Sequence, residues 1–204
     1  MKLLLRSTLL ALVLYFGIPF WANAEEPIRT YPETTWCGGV QLVRQYADGH
    51  YAVERLGECP TLWIDGSPEF QATIYQALEW LHRSQPEVTS FLLTQAWHIV
   101  EANFTGVAPN KARGEILVNR RLCEGVGGWQ WCATTIAAHE ALHLAQFSQG
   151  RSWCGRDAER EANDYQADVL ERLTAGATGG QWPRLVDWLR ASNHGDWSGY
   201  PSCT

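Results

Sequence analysis

His139-Glu140-Ala141-Leu142-His143 lies inside Ala133 to Phe147, a run that contains no glycine or proline. Residues four apart share a helix face, so both imidazoles can reach a single metal ion. Glu140 stands beside them, placed to take a proton from metal-activated water. Ile136, Leu142 and Phe147 fall on the histidines' side of such a helix, which makes that face partly buried and poor in water. Two imidazoles do not complete a metal site. The fold must therefore bring a further ligand from another element: four protein ligands close a structural zinc site, whereas three plus water make a hydrolytic one.

The residues after His143 narrow the choice. A His-x-x-Gly-x-x-His continuation is excluded because Gln146 occupies the glycine position. The next periodic segment, Asp157 to Leu173, offers carboxylates instead, with an inward stripe of Ala158, Ala162, Tyr165, Val169, Leu170 and Leu173. At helical spacing Glu159 lies about 65° from the centre of that stripe and Glu161 about 95° on its other side. Without Leu170 in the stripe the two are about equally placed, so Glu159 is favoured and Glu161 stays open. Asn163, one turn on, is placed to orient a ligand histidine from behind.

His139-Glu140-x-x-His143 followed by Glu159-x-x-Ala162-Asn163 resembles the zincin metallopeptidases whose third ligand is glutamate. The second pattern is similar to the Glu-x-x-Ala-Asp segment of CAAX-prenyl-protease-like peptidases and to the Glu-x-x-Ala-Asn segment of the ImmA/IrrE family. The resemblance spans Gly114 to about Asp168. It implies that His139, His143 and Glu159 ligate Zn2+, that Glu140 is the catalytic base, and that Gly114 to Arg121 is an edge strand along which a peptide substrate lies. Unlike the membrane-embedded prenyl-protease relatives, this chain shows no further apolar segment long enough to span a bilayer.

The N-terminus reads as an export signal. Lys2 and Arg6 precede an apolar stretch from Leu9 to Phe20, and Ala22-Asn23-Ala24 supplies a small-x-small cleavage site. Residues 1–24 are thus expected to be a removed leader, 25–36 a flexible arm, and 37–204 one domain. All six cysteines, Cys37, Cys59, Cys123, Cys132, Cys154 and Cys203, follow the leader. An even count behind a leader predicts three disulfides formed in an oxidising compartment, and no C-x-x-C pair suggests a cysteine metal site. Local pairing gives Cys37–Cys59, Cys123–Cys132 and Cys154–Cys203. The formal net charge of −6 becomes −8 once Lys2 and Arg6 are removed, which argues against nucleic acid and anionic lipid as partners.

The remaining chain predicts an α+β domain. Val40 to Tyr46 and Tyr51 to Leu56 flank Asp48-Gly49 as a hairpin, and Thr61 to Asp65 is a short third strand. Ser67-Pro68-Glu69 starts a helix to about His82, and Pro86 to Thr94 is read as another. Strands are expected at Trp97 to Phe104 and Gly114 to Arg121, separated by a polar loop. Helices are expected at Ala133 to Ser148, Asp157 to Leu173 and Trp182 to Ala191. The 11 tryptophans, of which only Trp21 belongs to the leader, are read chiefly as core filler. Tyr165, His194 and Tyr200 are candidate donors to a transition-state oxyanion. His50, His82 and His98 are read as structural or surface residues.

The expected function is an exported, secreted or periplasmic, zinc-dependent peptidase acting on a peptide or protein substrate, with no stable membrane insertion after leader removal. The alternative is a zincin-like metal-binding, protein-binding or glycan-binding module without catalysis.

Overall fold

The computed structural model describes residues 26–48, 51–56, 59, 61–109, 113–125, 127–175 and 182–192. The expected leader, His50, His194, Tyr200 and Cys203 lie outside the described residues, and with them one end of the expected Cys154–Cys203 bridge. Two compact units are present. One holds the described residues up to Glu33 together with Gln41–Arg55; the other holds Thr34–Val40 and the described residues from Leu56 onward.

The first unit is built on a three-stranded sheet, β1 (Arg29–Thr34), β2 (Val40–Gln45) and β3 (Tyr51–Arg55), in that order. β2 and β3 pair antiparallel from Gln41↔Arg55 to Gln45↔Tyr51, as the Asp-Gly signal predicts. Residues 29–34, read in the sequence as part of an arm, form strand β1. Its Pro32 cannot donate to a ladder, which suits the edge position β1 takes in the sheet.

The second unit is α+β and carries the site. Its sheet contains β4 (Trp63–Asp65), β5 (Ala96–Ala102), β6 (Gly106–Ala108) and β7 (Gly114–Asn119), ordered β4-β5-β7-β6. β4, β5 and β7 run parallel, and β6 returns antiparallel against β7. β7 is thus an inner strand, flanked on both sides, and not the edge strand that the resemblance implies. The three residues Gly106–Ala108, hidden in what reads as a polar loop, cover its outer side. Alternation in β7 turns Ile116 and Val118 into the core and leaves Glu115 and Leu117 on the other face.

Two helices connect β4 to β5. α1 (Pro68–Ser84) begins at Ser67, whose Oγ accepts from the Phe70 N–H at 3.3 Å, with Pro68 at the first helical position. Glu101 of β5 accepts the Ser67 N–H at 2.7 Å and ties the helix start to the sheet. α1 buries Phe70, Ile74, Ala77, Leu78 and Leu81. α2 (Pro86–Gln95) follows at once and buries Val88, Thr89 and Leu92.

A continuous helical run from Gly128 to Ser148 then crosses the core. After the short α3 (Arg121–Glu124), it comprises α4 (Gly128–Thr134), a π turn (Thr135–Glu140) and α5 (Ala141–Ser148). Ala133, Ala137, Ala138, Ala141 and Ala145 are all buried, and these small side chains let the run approach its neighbours closely. A Cβ at Gly114 of β7 would lie 2.2 Å from Leu144 Cδ2 and 3.1 Å from the Ala108 carbonyl oxygen. Gly114→Ala is therefore expected to cost about 1–3 kcal/mol through overpacking, read as a lower thermal midpoint. α6 (Arg156–Thr174) and α7 (Trp182–Ser192) complete the unit, joined by Ala167 and Leu170 against Val186 and Leu189.

Two cysteine bridges staple this unit, Cys37–Cys59 and Cys123–Cys132, with Cα separations of 5.2 and 4.8 Å. They point to a non-reducing, exported setting. The second joins α3 to α4 just before the π turn. Replacing both Cys123 and Cys132 with alanine is expected to lower stability by about 2–3 kcal/mol, from the loop entropy its nine-residue separation releases. The check is a lower urea midpoint. Among the described residues, no helix is long and apolar enough to cross a membrane.

Candidate metal centre

The π turn places the first histidine. Ala141 N–H reaches the Ile136 carbonyl, five residues back, and so widens the helix by one residue where His139 leaves it. Buried polar groups hold this widening. Thr134 Oγ1 bonds back to the carbonyls of Gln130 and Trp131, at 3.3 and 3.1 Å. Gln166, buried on α6, donates to Thr135 Oγ1 at 2.9 Å. His143 sits one turn further on, in α5.

α6 supplies the third group. His139 Nε2 and His143 Nε2 are 3.2 Å apart, and Glu159 brings Oε2 to 3.4 Å from the first and Oε1 to 3.5 Å from the second. Donors at zinc-ligand bond lengths around a tetrahedral ion are spaced about 3.3 Å from one another. The two imidazole nitrogens are at that spacing, and each has one Glu159 oxygen close to it. One donor atom from each residue can be chosen within 4.8 Å of the others, so the group has the donor chemistry and the proximity to hold an ion. Among the described residues, this is the one group of three or more such side chains gathered to hold a metal ion.

Electrostatics reinforce the grouping. Burial alone would raise the Glu159 carboxyl, but hydrogen bonds and charge from His139 and His143 outweigh it and lower it to about 2. Burial likewise disfavours the charged His143, yet its contacts with Glu159 reverse the balance and raise it. Glu140 is 6% exposed, and burial pushes its carboxyl up despite the opposing pull of the two histidines. A carboxyl so placed holds a proton more readily than one in water.

Glu161 points elsewhere. Its carboxylate accepts from both terminal nitrogens of Arg151 and from Gln146 Nε2 at 3.1 Å. The Arg151 guanidinium, first of all, holds that carboxyl below its ordinary value. Of the two carboxylates left open by helical geometry, the structure brings Glu159 to the histidines.

The partner behind His143 is Gln146, not Asn163. Gln146 is fully buried, and its Oε1 lies 3.0 Å from His143 Nδ1. Asn163 instead lines the cavity and donates to Ser192 Oγ at 3.3 Å. The sequence signal for Gln146 is a polar residue three positions after His143, on the same helix face.

His139, Glu140 and Glu159 share a cavity of about 340 Å3. One wall is apolar: Trp131 of α4, Trp188 and Leu189 of α7, and Leu122 of α3. The two indoles meet edge to face with ring centroids 6.1 Å apart, and Trp188 is 58% exposed. Thr105, just before β6, lines the same cavity. Tyr165 does not join the site. Its ring packs edge-on against Phe91 at 5.8 Å on the core side. His82 bonds Thr89, and His98 lies between Asp65 and Glu115 on the sheet, both apart from the cluster. No protein family, curated protein or solved structure matches this chain.

Proposed function

We propose that this chain is an exported, zincin-like zinc peptidase that hydrolyses peptide bonds in a peptide or protein substrate. The observation that carries the reading is the gathering of His139, His143 and Glu159 within metal-sharing distance, beside a cavity that the buried Glu140 also lines. His139, His143 and Glu159 would hold the ion. When bound, zinc supplies Lewis acidity that makes water a better nucleophile near neutral pH and polarises a carbonyl.

The chain's own groups do the rest. Glu140 accepts the proton of the attacking water and returns it to the leaving amine, and its raised carboxyl suits a group that must hold a proton between those steps. The Gln146 contact turns the His143 lone pair towards the cluster. The wall of Trp131 and Trp188 gives one side of the cavity an apolar surface against which a substrate side chain could pack. A binding module with a structural metal is the competing reading. It is disfavoured because a purely structural site has no need of a carboxyl such as Glu140 beside the histidines.

The test is digestion of casein, an unstructured protein, by disulfide-intact protein. Zinc-restored protein is expected to generate new peptide termini that disappear on chelation. Absence of cleavage of any peptide by protein carrying one zinc would favour the binding module.

A further inference from the structure

The contacts behind His143 continue outwards as an unbroken chain. Gln146 Oε1 meets His143 Nδ1, while Gln146 Nε2 donates to the Ala158 carbonyl at 3.3 Å and to Glu161 Oε2 at 3.1 Å. Glu161 in turn receives both terminal nitrogens of Arg151. Arg151 is itself fixed by the end of α5. Gly150 adopts φ +68°, its N–H bonds to the Phe147 carbonyl, and the Arg151 N–H returns to the Gln146 carbonyl at 2.8 Å. One turn of chain therefore holds Arg151 against the same residue whose side chain Glu161 grips.

This arrangement settles which way the Gln146 amide faces. Turned over, its oxygen would confront the Ala158 carbonyl and the Glu161 carboxylate, two acceptors with no proton between them. In the observed orientation the oxygen accepts a hydrogen bond from His143 Nδ1–H, which keeps Nε2, on the side of His139 and Glu159, as the nitrogen that would offer its lone pair to an ion. Glu161 also stands two residues beyond Glu159 on α6, so its link to Arg151 ties the start of α6 to the end of α5.

From this geometry we infer that Arg151 and Glu161 form a positioning clamp for the metal centre, acting from its outer side. Through Gln146 the clamp fixes the His143 tautomer, and through α6 it sets Glu159 against the histidines. Neither residue touches the ion or the substrate. The inference rests on the zinc reading above, and deepens it by giving a role to the carboxylate that is not a ligand.

Zinc affinity of the oxidised protein, measured by competition with a chromophoric chelator, tests the clamp. Glu161→Ala and Gln146→Leu are expected to bind zinc about 10–100-fold more weakly than wild type, the range for loss of a ligand's supporting hydrogen bond. Glu161→Gln is expected to stay near wild type, because its amide oxygen still accepts from Gln146 Nε2. In the zinc-loaded wild type, the His143 Nδ1–H proton should resonate as a slowly exchanging, hydrogen-bonded signal in NMR, and this signal should be lost in Gln146→Leu. A merely structural contact would lower the melting point of the metal-free protein and leave affinity and this signal unchanged.

Wild-type affinity in both Glu161→Ala and Gln146→Leu would overturn the clamp while leaving the zinc site intact. If Gln146→Leu does not fold, Glu161→Ala and Arg151→Ala decide, since both positions are partly exposed. Wild-type protein that binds no zinc would remove the zinc reading and the clamp together.

Discussion

Glu140→Gln is expected to retain zinc and the fold but to lose the proposed hydrolysis by about 10²–10⁴-fold, the range for removal of a general base. The substitution keeps size and shape, so the packing around this buried side chain is unchanged. It removes only the ability to accept a proton. The cavity-lining position of Glu140 beside His139, and the upward push that burial gives its carboxyl, are what tie the loss to proton transfer. The check is a set of turnover rates on one peptide, with zinc content and melting midpoint measured on the same samples. The loss should fall on kcat more than on KM, because the proton moves in the transition state. Full activity with zinc bound would remove Glu140 from the mechanism.

The second large effect separates two carboxylates two residues apart. Glu159→Ala leaves two imidazoles, too few for a site that needs three protein ligands, and the protein should emerge from gel filtration without zinc. Glu161→Ala should retain zinc through the same column and show only the weaker affinity of a site that has lost its outer support. The difference follows from position. Glu159 reaches both imidazole nitrogens, at 3.4 and 3.5 Å, whereas Glu161 is spent on Arg151 and Gln146. Zinc retained by Glu159→Ala and lost by Glu161→Ala would reverse the assignment.

The metal-binding group was legible because helical spacing alone aligns His139 with His143, and a stripe argument leans towards Glu159. Two of the local cysteine pairings, the helix start at Ser67-Pro68-Glu69 and the hairpin around Asp48-Gly49 were readable for similar reasons, each being a short-range pattern with one geometric meaning. The rest needed long-range contacts. β6 is three residues long and exists because β7 offers it a partner, so nothing in Gly106-Val107-Ala108 marks a strand. That pairing is also why β7 is internal. The π turn begins at Thr135, whose hydroxyl is bonded by Gln166, thirty-one residues away in sequence. Gln146 takes its meaning from Ala158 and Glu161 on the following helix. Tyr165 is a donor candidate whose place on the inward stripe favours core, and its packing on Phe91 puts it there.

The metal site itself is tested most directly by elemental analysis of purified protein lacking residues 1–24, with its disulfides intact. The account predicts about one zinc per chain, removed by chelation and restored by adding zinc. Protein that carries no zinc, and takes up none when zinc is supplied, would contradict it.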